Sequence, residues 1–195
     1  MNISIIGTGY VGLVSGVCFA KLRNNVICVD IDKKKIDKIN NATPPIYEEG
    51  LEELLSKYSN RIKATTDYSS SINNTGVTFI CVGTPSKEDG GIDLTFIKDV
   101  TIEIAKVLRE KDNYHLVVVK STVLPGTSRD VVLPLLEKHS GKKVGKDFGL
   151  AMNPEFLREG IAIDDFLKPD RIVIGSYDAK SRDILRKLYK DFSCP

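Results

Sequence analysis

The chain has 195 residues, 42% hydrophobic and 28% charged, and its 28 Lys and Arg residues against 26 Asp and Glu residues give a net charge of +2. This composition is typical of a folded globular protein, and no arginine-rich tract favours nucleic acid as a partner. No apolar run is long enough to span a membrane, and the apolar segment that begins at Ile3 lacks the basic start of a signal peptide. We therefore expect a cytoplasmic protein with no nucleic-acid or membrane partner.

Short apolar runs alternate with amphipathic segments along the chain. Seven runs predict buried strands, namely ISIIG, VICVD, RIKAT, TFICVG, HLVVVKS, FGLAM and RIVIG. Helices are predicted over residues 11–23, 33–40, 48–58, 94–110 and 179–191. Residues 131–138 are ambiguous, because Pro134 lies inside a helical pattern. Continuous apolar strands alternating with helices indicate one α/β domain over residues 1–195, a Rossmann-type doubly wound, mostly parallel sheet with helices on both faces.

The first predicted strand is followed by GTGYVG, in which Gly7, Gly9 and Gly12 match the pattern G-x-G-x-x-G. A predicted helix follows, and the second strand ends in Asp30 at the distance that a dinucleotide site requires. Gly7 permits the tight turn, Gly9 lets a pyrophosphate approach the backbone, and Gly12 lets the helix pack on the strand. Asp30 would bind the ribose hydroxyls and repel a 2′-phosphate, which favours NAD over NADP. Lysines 33–35 weaken this preference slightly, since a nearby cation tolerates a phosphate.

Residues 153–160, NPEFLREG, hold Glu155 and Glu159 four positions apart. One interpretation is a short helix that begins after Asn153 as the N-cap, has a proline in its first position and ends at Gly160. The other is a pair of carboxylates directed into a site, because an i, i+4 spacing places both on one helix face.

Six blocks occur in order along the chain: GTGYVG (7–12), PIYEEGLEELL (45–55), FICVGTPS (79–86), KSTVLPGT (120–127), NPEFLREGIAIDDF (153–166) and PDRIVIG (169–175). Together they resemble the N-terminal NAD-binding domain of the UDP-glucose/GDP-mannose dehydrogenase family. The resemblance covers nearly the whole chain. It favours a site over a simple helix start for NPEFLREG.

The resemblance implies a four-electron oxidation of the C6 alcohol of a nucleotide-linked hexose to a carboxylate, with two NAD. In the family a cysteine captures the intermediate aldehyde as a thiohemiacetal, and a second hydride transfer gives a thioester that water hydrolyses. By motif, Glu155 would be the general acid/base that activates this water and Thr122 would position it. Glu159 would lie between the substrate and the nicotinamide.

The resemblance also extends the predicted binding sites. Together with the glycine motif, it predicts NAD contacts at Gly7, Gly9, Tyr10, Val11, Gly12, Asp30, Lys35, Val82, Gly83, Thr84, Pro85, Ser121, Thr122 and Glu159. The nucleotide-sugar substrate would be bound by Glu155, Phe156, Leu157, Arg158 and Glu159. We favour UDP-glucose, because PDRIVIG looks most like UDP-glucose 6-dehydrogenases. KSTVLPGT and VGTPSKEDGGIDL look closer to GDP-mannose enzymes, and UDP-N-acetylhexosamine enzymes share the same blocks.

The cysteines do not supply the expected nucleophile. Cys18, Cys28 and Cys81 lie in apolar runs and are expected to be buried thiols, and no spacing favours a metal site. Cys194 lacks the glycine-rich setting of the family cysteine, so we do not expect it to be catalytic. The resemblance implies a central helix and a further domain, which we expect to lie outside residues 1–195. We expect a chain that binds NAD without completing the oxidation, part of a homodimeric full-length protein. A free-standing NAD-binding module without catalysis is the alternative.

Overall fold

A computed structural model describes all residues from Met1 to Pro195, and they form one seven-stranded sheet. The strands are β1 (Asn2–Ile6), β2 (Asn25–Val29), β3 (Ile62–Thr65), β4 (Val77–Ile80), β5 (His115–Val119), β6 (Phe148–Met152) and β7 (Gly175–Ser176). Their order across the sheet is β3-β2-β1-β4-β5-β6-β7; the first six are parallel and β7 is antiparallel to β6. The predicted fold class is confirmed. The chain order reverses between β1 and β4, which is where open α/β sheets bind ligands.

Eight α-helices connect the strands. They are α1 (Tyr10–Lys21), α2 (Lys33–Asn40), α3 (Leu51–Lys57), α4 (Tyr68–Asn73), α5 (Thr95–Glu110), α6 (Leu133–Ser140), α7 (Ala162–Leu167) and α8 (Ala179–Leu188). The five predicted helices are present, whereas α4 and α7 were not predicted. The ambiguous region is helical: a π-helical turn (Ser128–Val132) leads directly into α6, and Pro134 lies in the first turn of α6, where proline is tolerated. None of these helices has both the length and the apolar character that crossing a membrane requires.

The sheet buries both of its faces, and successive residues of each central strand point to opposite sides. Leu116 and Val118 of β5 belong to a core covered by α1, α2, α3, α7 and α8. Val117 and Val119 belong to a second core, covered by α4, α5 and α6. This double burial explains why the strands are continuously apolar rather than alternating. Phe19 of α1 lies at the centre of the first core, fully buried and in contact with three other aromatic rings.

Two local predictions are wrong. Residues 171–174 of RIVIG form no strand, and only Gly175 and Ser176 pair with β6. The carbonyl of Val173 instead accepts a hydrogen bond from the side-chain amide of Asn153, 2.9 Å away. Residues 153–158 are not helical, so Asn153 is not an N-cap and the i, i+4 relation of the two glutamates does not apply.

A row of hydrogen-bonded, buried polar groups links β1, β4 and β5 near the N-terminal ends of these strands. The His115 ring approaches the Thr75 carbonyl through Nδ1 (3.2 Å) and the Thr78 hydroxyl through Nε2 (2.7 Å). A carbonyl can only accept, so Nδ1 carries the proton, and neutral Nε2 accepts from Thr78. The Thr78 oxygen then accepts from the Ser4 hydroxyl at 2.6 Å. Burial lowers the pKa of His115 to about 3, so the ring stays neutral in the folded protein.

The buried histidine makes stability depend on pH in acid. Its pKa is about 3 in the folded protein and about 6.5 in an unfolded chain, so the unfolded state binds more protons between these values. His115 should therefore reduce the free energy of unfolding by up to about 1.4 kcal/mol per pH unit as pH falls from 6.5 towards 3. Urea unfolding between pH 7 and pH 4 measures the slope.

NMR of the His139→Gln variant, which leaves His115 as the remaining histidine, provides the direct check. The His115 ring signals should keep their neutral-form shifts down to pH 4. A His115 signal that titrates near pH 6.5 in the folded protein would contradict the assignment.

Candidate functional site

The turn between β1 and α1 requires glycine at two positions and leaves open space at a third. Gly7 has φ +95°, and a Cβ there would lie 2.6 Å from the Cys81 carbonyl oxygen. A Cβ on Gly12 would lie 1.9 Å from the Gly7 carbonyl oxygen. At Gly9, by contrast, a Cβ would meet no atom within 4 Å. Gly7 and Gly12 are thus explained by packing, whereas Gly9 borders space that a ligand can fill.

The start of α1 is suited to an anion. Gly9 is its N-cap, no side chain caps it, and its first turn has no acidic residue. The first N–H groups of a helix lack partners within the helix, and the helix dipole favours negative charge there. These features fit the pyrophosphate of a dinucleotide.

Asp30 directly follows β2 and forms hydrogen bonds with the turn over residues 7–12, called the glycine turn below. Its Oδ2 accepts hydrogen bonds from the Thr8 backbone N–H (2.8 Å) and hydroxyl (2.6 Å), and its Oδ1 accepts from the Asp32 N–H (3.0 Å). Lys35 Nζ lies 3.9 Å from Oδ2. Burial alone would raise the pKa of Asp30, but the bonds from Thr8 and Asp32 and the charge of Lys35 lower it below its ordinary value. A carboxylate is therefore maintained at the position predicted for ribose binding.

Strand register brings the remaining predicted segments to the same edge of the sheet. Ile6 of β1 pairs with Ile80 of β4, Ile80 with Val119 of β5, and Val119 with Met152 of β6. The segments that follow these residues therefore leave the sheet at one level. They contain Gly7 to Gly9, Val82 to Pro85, Ser121 and Thr122, and Glu155.

Two side chains tie the β4 and β5 loops together. The Ser121 hydroxyl donates to the Val82 carbonyl at 2.7 Å, and the Thr84 hydroxyl donates to the Thr122 carbonyl at 2.8 Å. Ser121 is buried, whereas Thr122 is exposed. The Ser121 side chain therefore fixes the loop, and the Thr122 side chain is the one available to a ligand.

The predicted substrate residues follow β6 as an irregular loop. Glu155 is half-buried, and its Oε2 accepts from the Leu157 N–H at 2.7 Å, which orients the carboxylate. Leu157 packs against the first core. Arg158 forms an ion pair with Asp165 (2.7 Å), and Phe156 and Glu159 are exposed. The loop thus combines an anchored interior with side chains that face solvent at the edge of the sheet.

Sequence reasoning missed a buried amine beside Glu155. Lys120 lines the same small pocket as Glu155, is 4% exposed, and donates to Asn153 Oδ1 at 3.2 Å. Burial lowers the pKa of Lys120, although Cys81 and Glu155 act in the opposite direction. Asn153 Oδ1 also accepts from the Tyr189 hydroxyl at 2.7 Å. The available signal was a lysine that directly follows the buried run HLVVV.

Comparison with known sequences identifies close relatives over the full chain. The family model described as UDP-glucose/GDP-mannose dehydrogenase family, NAD binding domain, matches residues 1–193. A GDP-mannose 6-dehydrogenase of Pseudomonas syringae pv. tomato is 50% identical over 197 aligned positions, which cover 100% of this chain and 45% of that protein. A UDP-glucose 6-dehydrogenase of Haloferax volcanii is 47% identical over 190 positions, which cover 97% of this chain and 44% of that protein.

Solved structures give the same result. A ternary complex of GDP-mannose dehydrogenase from Pseudomonas aeruginosa superposes with a TM-score of 0.98 at 48% identity, covering 100% of this chain and 45% of that one. A UDP-glucose dehydrogenase from the archaeon Pyrobaculum islandicum superposes with a TM-score of 0.94 at 40% identity. This match covers 99% of this chain and 44% of that one. The chain therefore spans about half the length of its relatives, and that half is an NAD-binding domain.

Asp30→Ala tests the ribose contact. Loss of charge-assisted hydrogen bonds worth about 1.5–3 kcal/mol should weaken NAD binding roughly tenfold to a hundredfold. The Kd ratio of NADP to NAD should fall as well, because the repulsion of a 2′-phosphate is lost. Calorimetric titration with both coenzymes measures the affinities.

Asp32→Ala is the matched control, since Asp32 is an exposed carboxylate that caps α2 through the Lys34 N–H. This variant should lose about 1 kcal/mol of stability and keep its NAD affinity. The coenzyme ratio separates a ribose contact from damage to the turn, because a distorted turn weakens NAD and NADP alike. An unchanged ratio in Asp30→Ala would exclude the ribose role.

Proposed function

The chain belongs to the UDP-glucose/GDP-mannose dehydrogenase family, and we propose that it is the NAD-binding part of a nucleotide-sugar 6-dehydrogenase. The proposed reaction converts R–CH₂OH, two NAD⁺ and water to R–COO⁻, two NADH and three H⁺. NAD, when bound, accepts the hydride in each of the two steps. Residues of this chain would bind the coenzyme, place the sugar beside it and transfer protons.

One observation carries this proposal, namely the common level at which β1, β5 and β6 end. Because these strands end at one level, the glycine turn, Thr122 and Glu155 lie at the same edge of the sheet. A half-buried carboxylate in such a position can exchange protons with a bound alcohol or water once ligands exclude solvent. We propose Glu155 as this general acid/base, Thr122 as the group that positions the hydrolytic water, and Glu159 as a contact between sugar and nicotinamide.

The nucleophile belongs to the same proposal. Cys18, Cys28 and Cys81 are buried as predicted, and burial raises the pKa of each thiol to about 12, so they offer little thiolate near neutral pH. Cys194 is half-exposed and lacks the glycine-rich sequence setting of the family cysteine. We propose that a cysteine outside residues 1–195 captures the aldehyde. A homodimeric full-length protein is a prediction that rests on the family resemblance, and cytoplasmic location is a separate prediction from the sequence.

Two substrates are proposed as alternatives. PDRIVIG favours UDP-glucose, and the 47% identity to a UDP-glucose 6-dehydrogenase supports it. KSTVLPGT favours GDP-mannose, and the 50% identity to a GDP-mannose 6-dehydrogenase supports that substrate equally well. We propose that Glu155 to Glu159 contact the sugar rather than the base, so these residues would not discriminate between the two substrates by their bases.

Assay of the complete gene product that carries this chain tests the reaction. It should form NADH with UDP-glucose or GDP-mannose, two NADH for each sugar nucleotide consumed, and markedly less with UDP-N-acetylmannosamine. One NADH per sugar would contradict the four-electron oxidation. Tight NAD binding without turnover of any nucleotide sugar would favour the non-catalytic module.

Glu155→Gln in the same protein tests the proton-transfer role. General acid–base catalysis contributes about 10²- to 10⁴-fold, so steady-state turnover should fall at least about hundredfold. A single-turnover assay should show that the first hydride transfer slows less than hydrolysis of the acyl intermediate. Glu110→Gln, at the exposed end of α5, should keep the normal rate. Normal turnover in Glu155→Gln would remove this residue from the mechanism.

A further inference from the structure

Glu48 is a buried carboxylate without a cationic partner. It lies in PIYEEGL, between α2 and α3, and is 5% exposed. None of the ion pairs of the protein includes it. A buried carboxylate is costly unless hydrogen bonds replace its lost hydration. The hydrogen bonds that Glu48 accepts therefore indicate its structural role.

The partners of Glu48 come from both halves of the candidate site. Its Oε2 accepts from the Tyr10 hydroxyl and from the Gly160 N–H at 2.8 Å. Its Oε1 accepts from the Ala162 N–H at 2.8 Å. Tyr10 is the first residue of α1, directly after Gly9, whereas Gly160 and Ala162 end the substrate loop and begin α7. The Glu48 carboxylate thus bonds to Tyr10 in the glycine turn and to a segment more than 110 residues after Glu48 in the sequence.

The Tyr10 hydroxyl strengthens this connection. It lies 3.1 Å from the Arg158 carbonyl oxygen and 3.1 Å from the Gly160 N–H. Burial and the neighbouring Glu48 raise the pKa of Tyr10, so the hydroxyl keeps its proton and can donate. Burial would raise the pKa of Glu48, but its three hydrogen-bond donors lower it, so the carboxylate stays ionised.

Elsewhere the loop is held mainly by itself and by α7. The Arg158 N–H and guanidinium bond to Asp165, and the Leu157 N–H bonds to Glu155. Gly160 has φ +89°, a conformation in which a side chain would be strained. Glu48 and Tyr10 therefore supply the polar link between this loop and the first βα unit.

We propose that Glu48 is a positioning residue which, through Tyr10, couples NAD binding at the glycine turn to the conformation of the loop 158–162. Coupling of this kind is reciprocal, because a ligand that holds Tyr10 in place also stabilises the loop. The loop carries Glu159, so coenzyme binding would help to place a predicted substrate residue. The use of the loop for substrate rests on the proposed function, whereas the coupling to NAD does not.

Amide hydrogen exchange measured by NMR tests the anchoring role. In Glu48→Gln, the Gly160 and Ala162 amides should exchange roughly tenfold faster, while the Cys81 amide, bonded to Ile6 in the sheet, keeps its rate. Glu137→Gln is the matched control, because Glu137 also accepts from a backbone amide, that of Val144. It should leave Gly160 and Ala162 unchanged. Equal acceleration of all amides, or none at Gly160, would overturn the anchoring role.

Tyr10→Phe tests the coupling while leaving Glu48 unsubstituted. In the unsubstituted chain, NAD well above its Kd should slow exchange at Gly160 and Ala162 at least threefold. In Tyr10→Phe, saturated with NAD at its own affinity, this effect should disappear. An equal NAD effect in both proteins, or no effect in the unsubstituted chain, would overturn the proposal. NAD is the sole ligand here, so failure of the coupling leaves the proposed sugar oxidation standing, and inactivity towards sugars leaves the coupling standing.

Discussion

The contact between Gly12 and the Gly7 carbonyl lets the first helix lie directly on the turn that precedes it. Any side chain at position 12 would place a carbon 1.9 Å from that oxygen. With the helix in this position, Phe19 enters the core beneath the sheet and Tyr10 reaches Glu48. The same contact leaves the N-terminus of α1 open beside Gly9. Core packing, the glycine turn and the link to the loop 158–162 therefore share one steric requirement.

Polar groups beneath the site are held mainly by hydrogen bonds rather than by ion pairs. Asp30 is bonded to Thr8, Lys120 to Asn153, and Glu48 to Tyr10 and two backbone amides. Such bonds fix orientation, because each donor and acceptor must be aligned, and an unsatisfied buried group is costly. The site thereby obtains rigid supports for loops that have no regular secondary structure.

The sequence predicted the elements whose signals are local. Continuous apolar runs predicted the parallel strands, and the glycine spacing predicted the tight turn between β1 and α1. Prediction from local sequence patterns failed where contacts between residues distant in the sequence determine the structure. RIVIG has the apolar pattern of a strand because Ile172 and Ile174 pack on the core, yet the Val173 carbonyl accepts a hydrogen bond from Asn153, and residues 171–174 are not part of any strand. Serine-rich α4 has weak helix propensity but is capped by Asp67. Lys120 and Glu48 matter through partners 33 to 114 residues away, which no local pattern reveals.

Gly9→Ala provides the most direct test that the coenzyme pyrophosphate lies at the start of α1. The added methyl meets no protein atom within 4 Å, so the free energy of unfolding in urea should change by no more than about 1 kcal/mol. NAD affinity, measured by calorimetry on the same sample, should nevertheless fall at least about tenfold, because the methyl occupies the space of the phosphates. Unchanged NAD affinity in this stably folded variant would place the coenzyme elsewhere and contradict the account.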